Sequence, residues 1–290
     1  MKIYDCNGNI IGIYTDDIEN MPKDKLKKLV QFFRAKNIDT VMFVKNIDIQ
    51  NNVVTTKIFE PNAGELGGWS TMCGNGVRAL TSYYRDFVKN VDEIIINTDA
   101  GFLKVIVKDG KFKVKMGRLY VGINKCTKYL SFKLKNWDFI ENLLKIEKIR
   151  FTNIEIGFTS TNEKDPDGEP HLCVEIPSVN LVTLKQIALQ VGQKITNNFE
   201  IFPLGVNVNF YSSSKNVVLL VTHERNLGFD PNKCITQSCG TGSTVVGGLV
   251  MYKNNFPKII VRSQGGDLVI SREQEDELYM AGDAKLIDSL

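Results

Sequence analysis

Short β-like runs alternate with turns along the first part of the chain: MKIYD, IIGIYT, TVMFVKN, NVVTTKIFE, DEIIINT, FLKVIVKDGKFKVKMG and RLYVGI. Between them the apolar period becomes helical. Leu26, Leu29, Val30 and Phe33 share one face of KDKLKKLVQFFRAK, and Val77, Leu80, Tyr84 and Phe87 share one face of VRALTSYYRDFVKN. Asp109-Gly110, set between alternating apolar residues, predicts a tight hairpin. The second half repeats the plan. HLCVEIP precedes a helical LVTLKQIALQVGQKI, GVNVNFYS and NVVLLVTHE read as strands, and KIIVRSQGGDLVIS and ELYMAGDAKLI close the chain as strands.

The two halves echo each other. In each, a β-branched-rich strand (VVTTKIFE, VVLLVTHE) leads through a loop to Cys-Gly-x-Gly and a helix: STMCGNGVRAL at residues 70–80 and TQSCGTGSTVV at 236–246. The second helix, STVVGGLVMY, is apolar or small all round, the composition of a centrally buried helix. The predicted fold is α/β (α+β), with two pseudo-symmetric halves, each a curved, mostly antiparallel sheet around a central helix. The halves are read as 1–126, completed by the last strand at about 280–290, and 127–279, with the junction inside 118–136.

Composition narrows the function. The net charge is +3, with 43% hydrophobic and 24% charged residues, an ordinary globular balance. Dispersed lysines such as those of KDKLKK are solvated faces, so neither nucleic acid nor an anionic membrane is expected as a partner. The start carries early acidic residues and lacks an apolar signal region, and no run of about 18 apolar residues exists to span a membrane. Six cysteines without a signal peptide read as free thiols in a reducing compartment, with the cytoplasm as default. The expected partner is a small molecule, and a homodimer stays open.

The cysteine motifs admit several chemistries. Cys234 and Cys239 have C-x4-C spacing, but two histidines and no second close pair make a poor zinc set, and no metal site is expected. No C-x-x-C opens a helix, as a thiol–disulfide enzyme prefers. CGNGVR and CGTGST match no phosphate-loop or dinucleotide pattern. Glycines at a helix start do let a ligand approach free N–H groups, and the dipole favours an anion there. Two such starts gripping one carboxylate flank its α-carbon with two sulfurs. One thiolate removes the α-proton and the other thiol returns one to the opposite face, so the centre inverts. The helix starts are expected to lower both thiol pKa values toward neutrality, and no cofactor is needed. Cys6, Cys126 and Cys173 read as small buried hydrophobes.

MCGNGVR and SCGTGS resemble the paired motifs of the diaminopimelate epimerase family, cofactor-independent two-cysteine enzymes of lysine and peptidoglycan-precursor synthesis. Proline racemases share this logic but typically carry His where this chain has Asn75. The resemblance touches most of the chain. FPLGVNVNF and HERN resemble family segments, and the strands ending in ELYMAGDA resemble its C-terminal strands. It implies the diaminopimelate-epimerase fold and Cys73 and Cys239 as the acid–base pair. The amides of Gly74, Asn75, Gly240 and Thr241 would hold the reacting carboxylate. Asn207, Glu224 and Arg225 would recognise the distal end of the substrate. The implied reaction is conversion of LL- to meso-diaminopimelate, with a same-mechanism racemase of a different amino acid as the alternative.

The departures fall on substrate recognition. NGNIIGI lacks the family's Asn-Asp-Phe, leaving Asn9 as the nearest ligand. FEPNAGELGGWSTMC is longer than the usual segment and puts Glu60 or Asn62 at the ligand position. GEPH replaces Gly-Asn-Pro-His, so Glu169, an acceptor that prefers a cation, stands for a substrate-binding amide. The loop NLGFDPNKCITQS is extended. These changes read either as drift or as a changed distal group, and the retained Asn207, Glu224 and Arg225 favour diaminopimelate. His171 and His223 are read as structural hydrogen-bonding residues and Trp69 as loop packing.

Overall fold

The computed structural model describes residues 1–15, 21–131, 136–225 and 234–289. Part of the stretch read as the junction (132–135) and most of the extended loop (226–233) lie outside the described residues. The chain divides into two compact units, Met1–Met116 with Tyr279–Leu290, and Gly117–Leu278.

The first unit runs β1 (Lys2–Cys6), β2 (Asn9–Tyr14), α1 (Lys23–Ala35), β3 (Thr40–Asp48), β4 (Val53–Glu60), β5 (Gly68–Ser70), α2 (Gly74–Phe87), β6 (Glu93–Thr98), β7 (Gly101–Lys108) and the start of β8 (Lys111–Val121). The second contains α3 (Asp138–Ile146), β9 (Asn153–Ser160), β10 (His171–Glu175), α4 (Leu181–Thr196), β11 (Asn207–Ser214), β12 (Val217–His223), α5 (Gly240–Asn254), β13 (Lys258–Ser263) and β14 (Gly266–Arg272). β15 (Leu278–Gly282) leads the chain back to the first unit, where β16 (Lys285–Ser289) pairs antiparallel with β1.

The internal echo is a topological identity. In the first unit β1-β2 is antiparallel, β2-β3 parallel, β3-β4 antiparallel, β4-β6 parallel and β6-β7 antiparallel. In the second, β9-β10, β10-β11, β11-β12, β12-β13 and β13-β14 repeat that order of senses. A parallel neighbour needs a crossover, and each of the four crossovers carries a helix: α1 and α4 at the first parallel pair, α2 and α5 at the second.

Strand alternation sorts the helices onto two faces. Val41 and Phe43 of β3 pack with Val30 and Phe33 of α1 in one apolar cluster. Met42, pointing the other way, lies where a Cβ on Gly76 of α2 would strike its sulfur. In the second unit Leu172 and Val174 of β10 pack with Leu184, Ala188 and Val191 of α4, leaving His171 and Cys173 to the α5 face. Ten residues of α5 are buried, on every side of the helix, which is why its sequence shows no amphipathic stripe. α2 buries Val77, Leu80 and Tyr84 completely. Phe87, read as part of that face, is instead 47% exposed at the last turn, with Lys2 Nζ 4.5 Å from its ring centroid. The Asp109-Gly110 hairpin forms: both residues have positive φ (51° and 72°) and Lys108 pairs with Lys111, as a type I′ turn requires. Among the described residues no helix is long and apolar enough to cross a membrane.

Candidate active site

Each unit presents one cysteine in the same local geometry. In the first, Cys73 caps α2 in an extended conformation (φ −143°, ψ 106°), and its Sγ accepts the Gly76 N–H at 3.3 Å. The opening N–H groups of a helix lack intrahelical partners, and the sulfur takes the place that Ser or Asp oxygen usually fills. The half-buried Cys73 thiol also reaches Thr40 Oγ1, at the start of β3, at 3.8 Å.

Below this cap lies a buried cation. Arg78 is 0% exposed. Its Nη2 donates to Asn75 Oδ1 at 2.6 Å, and its Nη1 to Asn7 Oδ1 at 2.7 Å and to the Asp283 carbonyl. Asn75, read from sequence as a ligand through its backbone, has its side chain turned inward to Arg78 and is 2% exposed. Asn9 stands opposite Cys6 in the β1–β2 ladder, on the sheet face that α2 covers. Glu60 ends β4, and Asn62 lies in the turn that follows, whose Pro61 and Gly64 carbonyls are held by Arg34 at 2.9 and 2.6 Å. Trp69, read as loop packing, lies instead in β5, edge-on against Phe59 at 5.1 Å and 53% exposed.

In the second unit Cys239 caps α5 (φ −100°, ψ 113°), with Sγ accepting from Gly242 N at 3.4 Å and 3.4 Å from Thr241 Oγ1. Behind it runs a buried chain of polar groups. Thr222 Oγ1 donates to Asn209 Oδ1 at 2.7 Å, so the Asn209 amide nitrogen faces His171 Nδ1 at 3.1 Å. Burial, then the charge of Arg225, pushes the His171 pKa down to about 3, so the ring is neutral. With Nδ1 accepting, its proton sits on Nε2 and is donated to Thr241 Oγ1 at 3.0 Å. The Thr241 hydroxyl proton is thereby left for Cys239 Sγ. A Cβ on Gly242 would come within 2.7 Å of Asn209 Oδ1 and 3.2 Å of the imidazole, so the second glycine of CGTG permits the approach of the chain to the helix.

Cys239 corrects one expectation from sequence. Burial and the Glu224 charge raise its pKa well above the ordinary thiol value, against the opposing bonds from Thr241 and Gly242. The helix start pulls downward as expected, but desolvation outweighs it. Cys239 therefore rests as a thiol. Burial likewise pushes Cys6, Cys126 and Cys173 up to about 12, which suits the inert role read for them.

Beside this chain sits a charged group. Arg225 N donates to Asn207 Oδ1 at 2.9 Å, Nη1 to the carbonyls of Leu204 and Gly205 at 3.0 and 3.3 Å, and Nη2 to Glu169 Oε2 at 2.7 Å. The Arg225 and Glu169 side chains are 19% and 20% exposed. Glu224 N donates to the Cys234 carbonyl at 2.7 Å. The second unit thus gathers Glu169, Asn207, Glu224, Arg225, Cys239, Gly240 and Thr241. Sequence reasoning missed His171, Asn209 and Thr222 as one chain ending on Cys239, and Arg78 as the support of Asn75. The available signals were period-two spacing of polar residues in VNVNF and an arginine set among Val77, Ala79 and Leu80.

The histidines give a pH dependence with a definite sign. His171 is pushed down to about 3 and His223 to about 4, both mainly by burial, against about 6.5 in an unfolded chain. Their contribution is full above 6.5 and is lost as pH falls toward 4 and 3, because the unfolded chain takes protons that the native one refuses. Asp39, raised to about 6 by burial, and Glu155, also raised by burial, act oppositely but offset only part of the histidines' loss between pH 6.5 and 6. Thermal melting across pH 7 to 4.5 should therefore show a falling midpoint, already evident between 6.5 and 6. A flat or rising midpoint there would contradict the neutral burial of the histidines.

The family model described as diaminopimelate epimerase matches residues 166–287. A diaminopimelate epimerase of Alkaliphilus metalliredigens is 25% identical over 98% of this chain and 93% of its own length. One of Methanocaldococcus jannaschii is 26% identical over 86% and 81%. The chain is similar to diaminopimelate epimerases over most of its length. A solved structure of a predicted epimerase from Pseudomonas aeruginosa matches with a TM-score of 0.66 at 10% identity, covering 99% of this chain and 96% of that one, a likeness of fold alone. The stretch matched by the diaminopimelate epimerase model contains Glu169, His171, Arg225 and Cys239, so it spans the second unit's capped thiol and its charged group.

Proposed function

We propose that this chain is a cofactor-independent epimerase that inverts the α-carbon of an amino acid, with Cys73 and Cys239 as its acid–base pair. The observation that carries the reading is the shared geometry of the two thiols. Each caps a glycine-rich helix start, with Sγ bonded to the N–H three residues on. In one direction Cys73, as thiolate, takes the α-proton, and the C–H electron pair moves into the carboxylate as enolate-like charge. The amides of Gly74, Asn75, Gly240 and Thr241 and the helix dipoles stabilise that charge. The resting Cys239 thiol then protonates the opposite face. Cys73 ends as thiol and Cys239 as thiolate, and proton exchange with water resets them.

The family name brings LL-diaminopimelate as first substrate, converted to the meso form. The Glu169–Arg225 pair favours the second reading, a racemase of a different amino acid by the same chemistry. The deciding experiment is deuterium incorporation at Cα in D2O, read by mass spectrometry on reduced protein with LL-diaminopimelate and a panel of L-amino acids. Exchange on any of them, with the opposite configuration accumulating, is the expected result. Binding without exchange on every substrate would overturn the reading.

A further inference from the structure

Two donors lie within reach of Cys239 Sγ, and only one is fixed by the backbone. The Gly242 N–H is held by the helix start, but the Thr241 hydroxyl can turn. What aims it is a run of hydrogen bonds whose order follows from its far end. Cys173, on β10, is pushed up to about 12 by burial and keeps its proton, which it gives to the His171 carbonyl at 3.7 Å. Its sulfur is then the acceptor for Asn209 Nδ2 at 3.6 Å. That contact orients the Asn209 amide, with its nitrogen toward Cys173 and His171. Its oxygen faces Thr222, whose hydroxyl donates to it at 2.7 Å.

An asparagine amide nitrogen carries two protons. Here both are spent, one on Cys173 Sγ and one on His171 Nδ1 at 3.1 Å. A neutral ring whose Nδ1 accepts carries its proton on Nε2, and that proton goes to Thr241 Oγ1 at 3.0 Å. With its oxygen taken, Thr241 has its own proton for Cys239 Sγ at 3.4 Å. Cys173, Asn209, His171 and Thr222 are all at most 2% exposed, so solvent does not reset the order from behind. Direction matters most once Cys239 has given up its proton. A thiolate in a desolvated place is costly, and a hydroxyl pointing at it makes a charge-assisted bond. A hydroxyl pointing away makes none.

We propose that Asn209 is a positioning residue for the second thiol. By holding His171 Nδ1 as an acceptor, it aims the Thr241 hydroxyl at Cys239 Sγ and so favours the thiolate that Cys239 becomes on donating its proton. The inference rests on the inversion reading above for the moment at which that thiolate forms, while the chain of bonds can be read without substrate. Two measurements on the full, reduced chain do so. One is 15N NMR of the imidazoles, with the two histidines told apart in a His223→Gln variant. The other is the rate of iodoacetamide alkylation at Cys239 against pH, read by peptide mass spectrometry. The charges that act on these groups, Glu224 at Cys239, Arg225 at His171 and Glu155 at Cys173, are present in every protein compared.

Wild-type His171 should carry its proton on Nε2, with Nδ1 a bare, hydrogen-bonded nitrogen. A proton on Nδ1 would overturn the proposal. Thr241→Val should slow Cys239 alkylation about tenfold at a given pH below its midpoint, the scale of one hydrogen bond to a charged group, with Thr241→Ser close to wild type. Asn209→Leu should slow it about threefold, because the freed ring can take its proton at Nδ1 and draw the hydroxyl away. In a Thr241→Val background the same change should slow it no further, since its effect passes through that hydroxyl. An unmoved profile in Thr241→Val, or an Asn209→Leu effect that persists without the hydroxyl, would sink the assignment. Should Asn209→Leu fail to fold, the wild-type tautomer and the Thr241 pair decide. If these results hold and no substrate is inverted, the chain stands and the inversion reading falls. If inversion occurs and they fail, only the Asn209 proposal falls.

Discussion

Cys73→Ser and Cys239→Ser should each lower inversion by about 10²–10⁴-fold, the usual worth of a positioned acid or base. Serine is the informative replacement. Each sulfur accepts a helix-start N–H, from Gly76 or Gly242, and a serine hydroxyl is among the best groups for that bond. Alanine would remove the cap along with the chemistry, at about 1 kcal/mol of helix stability. The serine variants therefore separate the two roles, and melting temperature should stay near wild type. A second readout distinguishes a pair of bases from a single one. Each variant keeps the thiol that serves one face, so each should still wash the α-proton out of one enantiomer without inverting it, and the enantiomer should differ between the two. Single-enantiomer wash-out in D2O measures this directly. If both variants keep wild-type turnover, or both lose exchange from the same enantiomer, Cys73 and Cys239 are not an acid–base pair.

Much of the fold was legible because its signals are local. The Asp109-Gly110 turn depends on two residues that tolerate positive φ. The doubled Cys-Gly-x-Gly starts mark equivalent crossovers, and α5 declares its burial by having no polar face. What escaped was decided by packing. β9, NIEIGFTS, was not singled out as a strand, yet it joins β8 and β10 in antiparallel ladders. α3 is nine residues long and buries only Ile140 and Leu144, too short for periodicity to separate it from a loop. Phe87 obeys the helical period but lies where its face runs past the core. At the site, the two capped cysteines announce themselves through glycine spacing. The Cys239 pKa does not, because the desolvation that raises it depends on residues remote in sequence, and the His171 chain joins four segments that only the fold brings together. Glu169 was visible as a departure, but its partner Arg225 lies 56 residues away.

Removing Arg78 should be among the most damaging single changes in the first unit. A fully buried guanidinium is costly unless acceptors meet its donors, and three acceptors from three segments hold its two terminal nitrogens, while Nε has no partner: Asn75 within α2, Asn7 in the β1–β2 turn and the Asp283 carbonyl ahead of β16. Burial pulls the Arg78 pKa down, and the charges of Cys6, Cys73, Asp283 and Asp5 pull it back up. By reciprocity, the cation favours an anionic Cys73. Arg78→Met is close to the right volume but leaves those neutral acceptors without donors, which should cost about 1–3 kcal/mol for each one stranded. Arg78→Lys keeps the charge but not the fork, so it should fold better than the Met variant while holding Asn75 less firmly. The two variants together separate structure from chemistry. Urea unfolding reads the stability loss, and the pH profile of Cys73 alkylation reads the charge, in a background where Cys239 is serine. Met should move that profile to higher pH and Lys should largely restore it. A Met variant with wild-type stability would show that the three acceptors find other donors. An unmoved alkylation profile would show that the Arg78 charge does not reach the thiol, and that the α2 helix start alone sets its reactivity.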